Sequence, residues 1–147
     1  MSLWRVQVLP LGAFSYRTRE LDFTREYLEG IVAAFNGGAY DLVPFQLADS
    51  SGAGTNDPAR YRGDVTALEV VSDGLDALIA ATPEGDEAIR TVPGLAAAPR
   101  LVENYRSSDG PAFPVAVQHV LGTTHPMITG LRPWKREPIA EGTVRDG

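Results

Sequence analysis

The chain has 147 residues, 44% of them apolar, a formal net charge of −6 and no cysteine. That is the length of one domain with a single core, and it excludes general disorder, a disulfide scaffold, a thiol nucleophile and a cysteine metal site. An acidic balance without a long basic block argues against direct nucleic-acid binding; the local cluster Arg132, Lys135, Arg136 reads as a solvated tail.

Leu3–Leu9 alternates, with Trp4, Val6 and Val8 on one face, which is strand periodicity; Pro10-Leu11-Gly12 ends it. With one cation and no continuous apolar run, this start reads as a strand rather than a signal peptide. Phe14–Leu21 is expected as a second short strand or extended arm. Thr24–Asn36 is a helix: Thr24 is its N-cap, Glu26 suits the first turn, and Tyr27, Leu28, Ile31, Val32 and Phe35 make one apolar stripe. Such a stripe is core rather than a ligand site. Gly37-Gly38 stops the helix.

Val43–Ala48 is a short strand in which Pro44 marks a start or an edge. Asp49–Arg60 is a polar loop. Val65–Val71 and Leu75–Ala81 form a hairpin around Ser72-Asp73-Gly74, where Asp-Gly supplies a positive φ. Thr82 caps a second helix over Pro83–Arg90. Leu95–Glu103 reads as a buried strand of small residues. Phe113–Leu121 alternates, with Phe113, Val115, Val117 and His119 on one side. Beyond Gly122, recurrent Pro and Gly predict a tail without regular structure that packs through Met127, Ile128, Leu131 and Trp134.

This order predicts an α+β fold: a mostly antiparallel sheet or small barrel with one or two packed helices. Residues 1–121 form the domain and residues 122–147 an extended Pro/Gly-rich C-terminal tail. No apolar stretch approaches the roughly 18–20 residues of a membrane span, so no membrane association is expected and the chain is expected in the cytoplasm.

The chemistry is sparse. Gly52-Ala53-Gly54 lacks the Lys-Ser/Thr and helix start of a phosphate-binding loop. His119 and His125 have no acidic partner at ligand spacing, so neither a metal nor a cofactor is expected. Asp49 and Asp57 could be a carboxylate pair but read better as solvated loop acids, Asp57 as a turn-maker before Pro58. Ser50, Ser51, Ser107 and Ser108 sit in turns with no sign of activation. His119 is the histidine on a predicted strand, and its bland reading is a packed or edge histidine. Composition and spacing stop at an α+β domain without a visible active site.

Several stretches go further: RVQVLPLGAF, FTREYLEGIVAAF, AYDLVPFQLAD, TNDPARYRGDV, GLDALI, PRLVENY and FPVAVQHVLGTTHPMITGLRPW. In order and spacing they resemble the capsid maturation (prohead) proteases of tailed phages, in the branch of the Mu-type and many actinophage enzymes, over roughly Arg5–Trp134. That family resembles the herpesvirus assemblins. The resemblance implies an assemblin-like fold and a serine nucleophile with two histidines in the order His…Ser…His. The first histidine precedes a T-N-D-P run and falls here on Gly54. The serine lies in a G-V-S-A-R-type strand and falls on Ala98. The last histidine falls in Q-H-V-L-G and is present as His119.

Two of the three implied groups are therefore missing, and Pro99 removes a backbone N–H beside the implied oxyanion region. Loss of even one member of such a unit costs orders of magnitude in rate. The changes spread through SSGAG and AAAP, the pattern of drift after loss of activity. The expectation is a catalytically inactive relative kept as a minor capsid or decoration subunit, in the host cytoplasm during assembly and then in the virion. Its expected partners are the phage major capsid protein and further copies of itself, with Leu131 and Trp134 as a docking arm. The alternatives are an active protease with a rearranged site, using His119 and a loop serine, and an assembly factor working with a separate protease.

Overall fold

A computed structural model describes residues 2–16, 19–48, 58–106 and 110–138. Its main sheet has seven strands in the order β7-β8-β4-β5-β6-β1-β9. These are β1 (Ser2–Pro10), β4 (Pro44–Leu47), β5 (Tyr61–Val71), β6 (Gly74–Ala81), β7 (Ala96–Arg106), β8 (Ala112–Thr123) and β9 (Lys135–Glu137). Every pairing is antiparallel except β4 with β8. The sheet curls until β7 comes against β1, but no ladder joins them, so the barrel has a seam. Inside lie Val6, Val8, Phe45, Leu75, Ile79, Val115, Val117 and Val120, all nearly inaccessible. The α+β expectation holds.

The two helices among the described residues form where their caps place them. In α1 (Arg25–Asn36) the Thr24 Oγ1 accepts from the Tyr27 N–H at 3.0 Å. In α2 (Pro83–Thr91) the Thr82 Oγ1 accepts from the Gly85 N–H at 3.1 Å. Both satisfy a backbone donor that the first turn leaves free. The α1 stripe buries Leu28 and Ile31 against the sheet.

Four readings change. Phe14–Leu21 is not one strand but the middle of a hairpin, β2 (Gly12–Tyr16) with β3 (Arg19–Phe23), a separate two-stranded sheet. Gly74 is not a turn residue but pairs with Val71 as the first residue of β6. Its φ of +152° and a Cβ position 2.1 Å from the Leu9 carbonyl oxygen explain the glycine: β1 passes where a side chain would stand. β7 is an edge strand and mostly half-exposed, which also accommodates Pro99. The tail is not without regular structure: β8 runs to Thr123, and β9 pairs with β1.

Candidate functional site

β7 and β8 carry the residues singled out by the sequence. Ala98 pairs with Leu121, Pro99 with Val120 and Arg100 with His119, but Leu101 pairs with Val117. Gln118 is thus an extra residue, a bulge that reverses the alternation. His119 therefore lies on the opposite face from Val117, not the same face. Directly paired residues share a face, so Ala98, Arg100, His119 and Leu121 stand together, turned away from the face of Val117 and Leu101. Ala98 and His119 are diagonal neighbours, roughly 7–8 Å apart. The geometry does bring the implied nucleophile position beside the retained histidine. What stands there is a methyl group.

His119 is 2% exposed, and neither ring nitrogen has a partner among the described residues. Burial, and then the Arg100 cation opposite, push its pKa below the ordinary value of 6.5. The imidazole is neutral at pH 7, able to accept a proton but with none of the described groups orienting it. Arg100 itself donates from Nε to Gln118 Oε1 at 3.0 Å. Gly54, Asp49, Asp57, Ser50, Ser51, Ser107 and Ser108 lie outside the described residues.

Sequence reading missed Asp64. Phe45 pairs with Val120, so Pro44 flanks His119, and Pro44 pairs with Asp64 on β5. Asp64 therefore shares the face of His119, two strands away. Its Oδ2 accepts from the Tyr61 hydroxyl at 2.8 Å, while its buried Oδ1 has no partner among the described residues. Nothing in a lone Asp after Gly63 signals this, because the juxtaposition depends on two strand registers.

The hydroxyls that β8 and the residues after it carry among the described residues do not meet His119. Thr123 lies four residues along β8 from His119, roughly 13 Å at the rise of an extended strand. Its Oγ1 accepts from the His125 N–H at 3.0 Å. Thr124 Oγ1 and His125 Nδ1 are 3.1 Å apart, but they are adjacent and exposed. Among the described residues no three metal-ligating side chains cluster, and no helix is long and apolar enough to cross a membrane.

Ala98 also borders a cavity of about 320 Å³ in the seam. Val8, Phe23, Tyr27 and Leu101 give it an apolar wall, and Glu103 a charge. Leu131 lines it, half-buried. Trp134 turns inward: its indole N–H donates to the Leu95 carbonyl at 3.0 Å, and its ring lies 5.3 Å from that of Phe45. Leu131 and Trp134 thus each contact their own chain and stay half-buried. Arg132 is not a solvated cation, since it binds Asp73 and the buried Asp76.

No protein family matches the chain, and no curated protein does. Among solved structures it is similar to the Kaposi's sarcoma-associated herpesvirus protease bound to a dimer disruptor. The identity is 14% and the TM-score 0.47, over 99% of this chain and 81% of that one. The same protease with an allosteric inhibitor gives 13% and 0.44, over 99% and 82%.

Proposed function

We propose that this chain is a relative of the capsid maturation proteases that no longer hydrolyses peptide bonds and serves the phage particle as a structural subunit. Its partner in this reading is the major capsid protein, and it passes from the host cytoplasm into the virion. The observation that carries the reading is the placement of Ala98 diagonal to the buried His119 on one sheet face. In this reading β7 and β8 are the strands that would present nucleophile and base, and a methyl group stands at the implied nucleophile position. An alkyl group cannot form the acyl intermediate, whatever the base beside it does.

A second reading has one observation in its favour. Neither nitrogen of His119 has a partner among the described residues, and burial lowers its pKa, which suits an available base. In that reading Ser50 or Ser51 is the nucleophile. One experiment separates the two: purified chain is incubated with capsid and scaffold precursors and, separately, with a fluorophosphonate probe. The structural reading expects no cleavage and no labelling. Cleavage that disappears in His119→Ala would establish the second reading instead.

A further inference from the structure

Residues 126–137 run back across the seam between β1 and β7 and leave open space beside them. The cavity of about 320 Å³ lies on one side, and a second of about 240 Å³ on the other. Pro126, Ile128 and Leu131 border both. Both are open grooves, so this part of the segment meets the seam along its edges rather than as packed core.

Polar contacts fasten this segment, together with Ile128 and Trp134, which pack against the core. Arg132 reaches Asp73 at 2.7 and 2.8 Å and Asp76 at 2.6 Å. Its backbone N–H donates to Gln7 Oε1 at 2.8 Å. Glu137 accepts from Arg5 Nε at 2.6 Å, and Trp134 donates to Leu95. Gly130, at φ +79°, sits between the cavity-lining part and these anchors.

The landing sites keep part of their bonding when the segment leaves, and the remainder (Asp76 Oδ1, Gln7 Oε1 and the Leu95 carbonyl) faces the water that the opened edge admits. Asp76 is buried, and a buried carboxylate stripped of its partner would be costly. It keeps Arg5, whose NH1 donates to it at 3.0 Å. Gln7 keeps its bonds from Nε2 to the Leu9 and Asp73 carbonyls, at 3.2 and 3.0 Å. On the leaving side, Arg132 and the indole exchange these contacts for water, so the net loss per bond is modest.

We infer that residues 126–137 are a strap that opens as one unit while the rest of the sheet stays folded, and so controls access to the apolar cavity that Ala98 borders. Closed, it caps the seam. Open, it exposes Val8, Leu9, Ala97 and Leu101 together with the β1 edge that β9 covers. This holds whether or not the chain hydrolyses peptides, and its test reads neither activity nor particle content.

The test is amide hydrogen exchange on the whole chain. In the wild type, amides of Arg132–Glu137 should exchange faster than those of the β5–β6 ladder, as a sub-global opening requires. Arg132→Ala should speed the strap amides by about ten- to a hundredfold, the weight of charge-assisted bonds, and leave the β5–β6 rates unchanged. It should also raise the fluorescence of the apolar probe ANS. Should that variant fail to fold, the wild-type comparison decides alone. Equal rates at strap and ladder in the wild type, or a parallel rise in both on Arg132→Ala, overturns the proposal.

Discussion

Two residues carry the functional argument, and each makes a separate prediction. His119 is buried with a pKa depressed below 6.5 by desolvation and by Arg100. Between the folded and unfolded values the unfolded chain binds more protons, so stability falls as pH falls through that window. Its contribution is fully present above pH 6.5 and lost as pH drops towards the folded pKa. Thermal melts at pH 7.5 and 5 should show a larger loss for the wild type than for His119→Gln; equal losses would mean the imidazole is not held neutral. Ala98→Ser restores a hydroxyl diagonal to His119, yet Gly54 and Pro99 still stand where the family's first base and a backbone donor are implied. Fluorophosphonate labelling of Ala98→Ser is therefore expected to stay at background, because members of a catalytic unit act together. Labelling above that level would show that the nucleophile alone was missing.

At the scale of elements, local chemistry and close approaches give different magnitudes. Thr24 makes one exposed cap bond, whereas the Thr82 hydroxyl accepts from Gly85 and donates to the Arg62 carbonyl at 3.2 Å. Thr24→Ala should cost about 1 kcal/mol and Thr82→Ala up to about 2 kcal/mol in denaturant unfolding; the reverse order would refute the α2–β5 tie. Gly74→Ala is worse than either. Its Cβ would meet backbone rather than a movable side chain, at a φ few residues adopt, so about 3 kcal/mol or failure to fold is expected. These elements also show what the sequence could tell. Thr24, Thr82 and the Asp73-Gly74 hairpin were legible because caps and turns are local. The Gln118 bulge was not, since an alternating run looks the same with or without an extra residue, and this put His119 on the wrong face. The β2–β3 hairpin hid for a related reason: between Phe14 and Leu21 the sequence carries no Gly, Pro, Asn or Asp to break the run.

For the whole molecule, the α+β class followed from element order, while the seam and what crosses it did not. β9 is Lys135-Arg136-Glu137, charged throughout, and it is a strand only because β1 offers an edge. Arg132 looked like a solvated cation until Asp73 and Asp76, distant in sequence, met it. That Trp134 packs is legible from an aromatic in a Pro-rich tail, but the groove beside Phe45 that receives it is not. The site divides in the same way. Ala98 and His119 were placed by resemblance, their adjacency came from strand register, and Asp64 came from two registers at once.

Quantitative mass spectrometry of purified mature particles tests the proposed structural role most directly. Copies of this chain are counted against the major capsid protein. A fixed, substantial ratio is the predicted result. Absence of the chain from particles whose capsid protein is fully processed would contradict it.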